Sequence, residues 1–161
     1  MLDKELIIIA NQIKHQAIEK NYTISVAESC TGGLIAAYLT SVPGSSGYFS
    51  SGIVSYSNDA KIKLLNVPTN ILTNFGAVSK ETAECMAVGV QKLMGTNIAI
   101  SVTGIAGPDG GSKTKPVGMV CFGLCGSGLT NSSTHYFSGN REEIRHLACR
   151  QALLMILDCL V

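Results

Sequence analysis

The stretch VAESCTGG, residues 26–33, decides the fold, because an apolar run ends there in polar side chains and two glycines. The run from Thr23 to Ala27 favours a β-strand, and GLIAAYLT at 33–40 is compatible with a helix. In open α/β sheets, ligands bind beyond the carboxyl ends of the strands. The stretch therefore predicts an α/β fold and a candidate site at residues 28–33.

The same alternation of segment types continues along the chain. Helices are predicted over 5–18, 61–65, 79–94 and 140–160, and strands over 48–56, 98–103, 117–124 and 132–137. Helices lie between the early strands, whereas the last strands follow one another through shorter connections. This order predicts helices on both faces of a mixed sheet, with residues 1–161 forming one domain.

The amino-acid composition disfavours nucleic acids, membranes and zinc as binding partners of this chain. The formal net charge of +1 provides no strong field for nucleic acid or for an anionic membrane. No apolar run approaches the roughly 18 residues of a membrane span, and the first segment lacks the features of a secretory signal. The six cysteines form no C-x-x-C pair, which favours a reduced, cytoplasmic protein without a zinc cluster.

Ser29 is a candidate nucleophile, since it lies where the predicted strand turns into a helix. Gly32 and Gly33 permit a tight turn and the close approach of a ligand. Free N–H groups in this turn, from Cys30 through Thr31 to Gly33, can hold an anion or an oxyanion. The alternative is that Ser29 or Thr31 only caps the helix, and the residues alone leave both interpretations open.

Cys30 is a rival nucleophile, because a thiolate needs less activation than an alcohol. It needs a histidine, a cation or a helix terminus beside it, and the three histidines stand in no motif context. A serine paired with a lysine base is then more attractive. Lys61 can be that base if burial lowers its pKa, and the Tyr56 hydroxyl can link it to Ser29. The alternative is a solvated Lys61 and a core Tyr56.

A glycine-rich loop follows the strand 98–103. Its residues 107–114, GPDGGSKT, come close to a phosphate-binding P-loop, but Ser112 replaces the second glycine and no helix follows. A P-loop is therefore disfavoured. The loop can still surround a ligand with the backbone N–H groups of Gly104, Ala106 and Gly107.

These motifs together resemble the CinA C-terminal domain family, whose characterised activity is nicotinamide-nucleotide amidase. The resemblance runs in order through most of the chain, over AESCTGG (27–33), PGSS (43–46), VSYSNDAKIKLL (54–65), GAVS (76–79), SVTGIAGPDGG (101–111) and KPVG (115–118). It implies a three-layer α/β/α sandwich with a mixed, mostly parallel sheet. It also implies hydrolysis of the carboxamide of nicotinamide mononucleotide to nicotinic acid mononucleotide and ammonia, in pyridine-nucleotide recycling, without a metal or a cofactor.

The resemblance also implies roles for residues, position by position. Ser29 matches the family's proposed nucleophile, Lys61 and Tyr56 match its Y-S-x-x-x-K motif, and Thr103 matches the threonine of T-G-I-A-G-P. The candidates for holding ribose or phosphate are Ser45, Ser46 and Arg141, with Arg145 second to Arg141. The chain looks like the stand-alone form of the family, and a homodimer is compatible with it.

Two other functions stay open from the sequence. A nucleotide-binding or regulatory module would use the same pocket without hydrolysis and would not need Lys61 as a base. An amidase for another pyridine or nucleoside amide would keep the chemistry and change the substrate.

Overall fold

The fold is built from alternating helices and strands, and the structure, a computed structural model, describes residues 2–161. The α-helices in that range are α1 (Lys4–Lys20), α2 (Leu34–Thr40), α3 (Asn58–Leu65), α4 (Thr69–Phe75), α5 (Lys80–Met94) and α6 (Arg141–Leu160). The strands are β1 (Ile24–Glu28), β2 (Phe49–Val54), β3 (Ile98–Gly104), β4 (Met119–Gly126) and β5 (Leu129–Tyr136).

The strands form one five-stranded sheet in the order β2-β1-β3-β4-β5. Strand β1 pairs in parallel with β2 and β3, while β4 runs antiparallel to β3 and to β5. Four strands thus point one way and only β4 points the other way. This confirms the mixed, mostly parallel sheet.

Helices cover both faces of the sheet. Helices α1, α2 and α6 pack with one core, in which Ile24 and Val26 of β1 are fully buried. Helices α3, α4 and α5 pack on the other core, which contains Ala27 of β1 and Met86 of α5. All five residues of β1 are buried, as expected for a central strand covered on both faces. The three-layer α/β/α sandwich is confirmed.

Capping side chains set the helix starts that position the site. The Ser57 and Ser79 side chains accept hydrogen bonds from amides in the first turns of α3 and α5. Asn140 and Glu143 form a capping box at the start of α6, which was predicted over 140–160. Helix α4 was not predicted, because its sequence TNILTNF contains few strong helix formers.

Candidate active site

The predicted polar clusters meet at one edge of the sheet. Because β1, β2 and β3 are parallel neighbours, their carboxyl ends lie side by side, and the register places Glu28 opposite both Val54 and Val102. The chain continues from these ends into Ser29, Tyr56 and Thr103. The topology therefore gathers segments that are up to 74 positions apart in the sequence.

At the centre of this edge, Lys61 contacts Ser29. The Lys61 Nζ atom lies 3.0 Å from Ser29 Oγ, 3.0 Å from the Ser55 carbonyl oxygen and 3.4 Å from the Tyr56 carbonyl oxygen. Lys61 is 1% exposed and Ser29 is 8% exposed. Burial lowers the pKa of the Lys61 amine below its ordinary value of 10.5, and the neighbouring Cys30 partly opposes that shift. Lys61 is thus buried beside a hydroxyl, and not solvated.

Cys30 lies next to this pair but is held as a neutral thiol. It is 5% exposed, and burial raises its pKa to about 12, with Glu28 adding to the shift while Arg145 and Lys61 oppose it. A thiol with so high a pKa contains almost no thiolate at neutral pH. The environment therefore favours the alcohol of Ser29 over the thiol as the nucleophile.

The turn between β1 and α2 is held by the buried carboxylate of Glu28. Its Oε2 accepts hydrogen bonds from the amides of Gly33 (3.0 Å) and Ile35 (3.2 Å), and its Oε1 accepts one from Ala36 (2.9 Å). Glu28 is 1% exposed and caps the start of α2. These bonds orient the turn, and Glu28 forms no ion pair with Lys61 among the described residues.

This arrangement corrects the prediction that Gly32 and Gly33 bind substrate through their amides. Both have left-handed backbone angles, φ 59° and 95°, which suit glycine. The Gly32 amide donates to the Ser29 carbonyl oxygen at 3.0 Å, and the Gly33 amide is bound to Glu28. Within residues 2–161, the amides of Cys30 and Thr31 donate no hydrogen bond to another residue, although the Cys30 amide interacts with its own thiol. Of these two residues only Cys30 lines the cavity beside Ser29, so its N–H is the one left for an oxyanion.

Thr31 was also predicted to bind substrate, and its placement does not support this. Thr31 is fully buried, and its hydroxyl has no hydrogen-bond partner among the described residues. It does not line the cavity beside Ser29. Neither the side chain nor the backbone of Thr31 therefore lines this cavity.

A cavity of about 180 Å³ opens beside Ser29 and Lys61. Its wall includes predicted site residues (Ser29, Tyr56, Lys61, Thr103, Gly104, Ala106 and Arg141), together with Cys30, Asn58, Ala77 and Val78. The Thr103 hydroxyl donates to the Ala77 carbonyl oxygen at 2.7 Å, which fixes its lone pairs for a further partner. Asn58 was not predicted as a site residue, although its position one turn before Lys61 in VSYSNDAKIKLL was an available signal.

Arg141 closes the outer side of this cavity. Its Nη1 donates to the Gly107 carbonyl oxygen and its Nη2 to the Tyr56 hydroxyl, both at 2.8 Å. The Tyr56 side chain is 58% exposed, so its hydroxyl points to Arg141 and does not bridge Ser29 and Lys61. The Tyr56 hydroxyl therefore does not link Lys61 to Ser29 as predicted, because those two side chains contact each other directly.

A wider groove of about 840 Å³ continues from the cavity and shares Ala106 and Arg141 with it. Pro108, Val117 and the start of α6, from Gly139 to Glu142 with Arg145, line the rest. Arg145, the second candidate for the family's arginine, donates from Nε to the Cys30 carbonyl oxygen (3.1 Å) and from Nη2 to that of Thr31 (2.8 Å). It therefore contacts the turn, while Arg141 contacts the cavity.

Ser45 and Ser46, the predicted candidates for holding ribose or phosphate, do not line the cavity or the groove within this chain. Both lie in a short 3₁₀ turn before β2, at the amino end of the strand, whereas the site lies at its carboxyl end. The six residues of β2 span about 20 Å at the usual rise per residue. The PGSS segment instead forms a turn whose Pro43 carbonyl accepts a hydrogen bond from Lys14.

The site consists of hydroxyl, amine, guanidinium and amide groups. Among residues 2–161, no three His, Cys, Asp or Glu side chains are grouped to hold a metal ion. Over the same range, no helix is long and apolar enough to cross a membrane. The six cysteines are free thiols.

Comparison with known proteins identifies relatives over nearly the whole chain. The family model of the CinA C-terminal domain matches residues 7–160. A CinA-like protein of Geotalea uraniireducens is 53% identical over 135 residues, which is 84% of this chain and 32% of that protein. The chain thus spans about a third of the length of the curated relatives it matches.

Solved structures match over the full fold. The competence/damage inducible protein CihA of Agrobacterium tumefaciens has a TM-score of 0.95 and 42% identity, covering 99% of this chain and 98% of that one. A CinA superfamily protein of Escherichia coli has a TM-score of 0.92 and 30% identity, covering 98% and 92%.

Proposed function

The chain belongs to the CinA C-terminal domain family, and from this and the contact between Ser29 and Lys61 we propose that it is a serine amidohydrolase acting on the carboxamide of nicotinamide mononucleotide. Ser29 is the nucleophile and Lys61 the base. Thr103 and Arg141 hold the substrate. The products are nicotinic acid mononucleotide and ammonia.

The surroundings of the Lys61 nitrogen carry the proposal. Two of its three neighbours are carbonyl oxygens, of Ser55 and Tyr56, which can only accept hydrogen bonds. A neutral amine has two N–H groups and one lone pair. If both N–H groups go to the carbonyls, the lone pair faces the Ser29 hydroxyl. Burial, which lowers the pKa of Lys61, favours this same neutral form.

The reaction then follows from these positions. Lys61 takes the Ser29 proton as Oγ attacks the carboxamide carbon, and the resulting oxyanion accepts a hydrogen bond from the Cys30 amide. The C–N bond breaks while the Lys61 ammonium returns the proton to the leaving nitrogen, which departs as ammonia. A water molecule, deprotonated by Lys61, attacks the acyl-enzyme. The Ser29–acyl bond breaks, and Ser29 recovers its proton from Lys61.

The shape of the site supports a nucleotide amide. The inner cavity of about 180 Å³ is smaller than the usual ligand pocket of roughly 300–1,000 Å³. It therefore suits the pyridine carboxamide head alone. The ribose and phosphate would extend into the groove, where Arg141 and Arg145 provide positive charge.

The direct test measures ammonia released from nicotinamide mononucleotide by wild type, Ser29→Ala and Cys30→Ala. We expect Ser29→Ala to lose at least about a thousandfold in kcat, as loss of a nucleophile does in serine hydrolases. Cys30→Ala, at the adjacent position in the same cavity, serves as the matched control and should retain most of the activity. Full activity in Ser29→Ala together with loss in Cys30→Ala would assign the nucleophile to the thiol.

The same experiment separates the other functions. Thermal stabilisation by nicotinamide mononucleotide without ammonia release would indicate a binding module. Release of ammonia from other pyridine or nucleoside amides, but not from this nucleotide, would keep the Ser29 chemistry and change the substrate.

A further inference from the structure

Thr103 lies next to Ser29 on the neighbouring strand, on the same face of the sheet. Glu28 pairs with Val102 in the parallel register of β1 and β3, and the Ser29 amide donates to the Val102 carbonyl oxygen at 2.9 Å. This pairing continues to Ser29 and Thr103, whose backbones are therefore about 4.8 Å apart. Val102 packs in the core with α6, so the alternation of side chains directs Thr103 to the α5 face. Ser29 has the same direction, because its hydroxyl contacts Lys61 of α3, a helix on that face.

The single proton of the Thr103 hydroxyl is already used in a hydrogen bond. A hydroxyl has one O–H donor and two acceptor lone pairs, and Thr103 donates to the Ala77 carbonyl oxygen at 2.7 Å. Among residues 2–161, no N–H or O–H group donates to the Thr103 oxygen. Thr103 is almost completely buried, and it lines the inner cavity together with Ala77. The hydroxyl therefore presents an acceptor, and no donor, to the space beside Ser29.

An acceptor at this position distinguishes a carboxamide from the corresponding acid. The NH₂ group of a carboxamide donates hydrogen bonds, whereas a carboxylate only accepts them. When the carboxamide carbon lies against Ser29 and its oxygen against the Cys30 amide, its nitrogen can donate to Thr103. The oxygen that replaces this nitrogen in the product faces the Thr103 lone pairs. It can accept the Thr103 hydrogen only if the Ala77 carbonyl loses it.

We propose that Thr103 is a specificity-determining residue, whose hydroxyl accepts a hydrogen bond from the NH₂ group of the substrate and disfavours the carboxylate of the product. The proposal rests on the proposed function, since it takes the carboxamide of a nucleotide as the substrate. It adds that the contact which binds the amide also weakens binding of the acid, so that the product leaves the site.

Equilibrium binding to Ser29→Ala protein, which does not turn the amide over, tests this role. Isothermal titration calorimetry gives Kd for nicotinamide mononucleotide and for nicotinic acid mononucleotide. We expect the amide to bind at least about tenfold more tightly than the acid, which cannot donate to the Thr103 oxygen. Adding Thr103→Val, which keeps the shape and removes the hydroxyl, should reduce this preference to less than about threefold by weakening binding of the amide. Thr103→Ser keeps a hydroxyl and should retain the preference.

Thr82→Val is the matched control for the loop that Thr103 contacts. Thr82 is fully buried, and its hydroxyl donates to the Gly76 carbonyl oxygen at 2.7 Å, one residue before Ala77. Thr82 does not line the inner cavity. This variant removes a hydrogen bond from the same loop and should leave the preference for the amide unchanged. A purely structural role of Thr103 would weaken binding of both nucleotides by the same factor and leave the ratio of their Kd values unchanged.

Two further measurements separate the role of Thr103 from the proposed function. With Ser29 intact, Thr103→Val should lower kcat/KM for ammonia release about 10- to 100-fold, while the inhibition constant of nicotinic acid mononucleotide does not rise. Titration with the head groups alone, pyridine-3-carboxamide and pyridine-3-carboxylate, repeats the comparison without ribose or phosphate. If Thr103→Val removes an amide preference of the head groups, but wild type releases no ammonia from nicotinamide mononucleotide, the proposed substrate is wrong and the role of Thr103 stands.

Three outcomes would overturn the role of Thr103. One is ammonia release by wild type together with an amide preference that Thr103→Val leaves unchanged, in which case the proposed function stands. Another is an acid that binds to Ser29→Ala protein as tightly as the amide. The third is no binding of either the nucleotide or the head-group amide, which would also contradict the proposed function. Thermal unfolding establishes that each variant is folded, and Thr103→Ala carries the comparison if Thr103→Val is not.

Discussion

Replacing Glu28 by glutamine tests whether its carboxylate holds the nucleophile turn. The carboxylate accepts three amide hydrogen bonds while almost completely buried. Glutamine has the same shape but only one oxygen. If that oxygen still accepts the hydrogen bonds from the Gly33 and Ile35 amides, the NH₂ group of the glutamine faces the Ala36 amide. The buried Ala36 N–H then has no acceptor.

The magnitude follows from these contacts. An orphaned buried N–H costs about 1–3 kcal/mol. The two remaining bonds change from charged to neutral acceptors, which weakens each by about 1 kcal/mol. We therefore expect Glu28→Gln to lower the free energy of unfolding by about 3–5 kcal/mol, and the melting temperature by about 6–20 °C for a domain of this size.

Urea and thermal unfolding of Glu28→Gln measure this loss. The control is Glu143→Gln, which changes an exposed capping glutamate with a single bond, to the Asn140 amide. Glutamine functions in a capping box, so this variant should lose less than about 1 kcal/mol. A loss below about 1 kcal/mol in Glu28→Gln, with an unchanged m-value, would refute the reasoning that the charge of Glu28 holds the turn.

The remaining predictions concern the reaction. The kcat for ammonia release should fall as pH decreases through the Lys61 pKa, which lies below 10.5, because only the neutral amine takes the Ser29 proton; a profile flat across that range contradicts the base role. Asn58→Asp puts a carboxylate one turn from Lys61, which should raise the pKa of that amine and move the kcat profile to higher pH; an unmoved profile contradicts this. Arg141→Met should raise KM for nicotinamide mononucleotide about tenfold or more with a smaller effect on kcat, as loss of a charged hydrogen bond does; steady-state kinetics decides, and an unchanged KM places the phosphate elsewhere.

Features of the site encoded in short segments were accessible from the sequence. Apolar runs located β1 and β3, and their parallel pairing then placed Ser29 near Thr103. The caps at Ser57 and Ser79 were visible because a capping side chain and the amide it binds are three residues apart. The family motifs supplied the pairing of Ser29 with Lys61.

Features that depend on tertiary contacts were not accessible. The bonds of Arg145 cross 115 positions, and no local pattern distinguishes it from Arg141, four residues earlier on the same helix. The motif at Ser45 and Ser46 suggested a ligand contact, but only the direction of β2 shows that it lies at the opposite edge of the sheet. The partners of Glu28 likewise depend on how the turn folds.

The burial of Cys30 has a practical consequence for observing this turn. A thiol that is 5% exposed, with a pKa of about 12, reacts with an alkylating reagent only after the backbone around it has opened. Its alkylation rate therefore reports how often the neighbourhood of Ser29 opens in the native protein. Cys30 is therefore an intrinsic probe of local unfolding, one residue from the reacting hydroxyl.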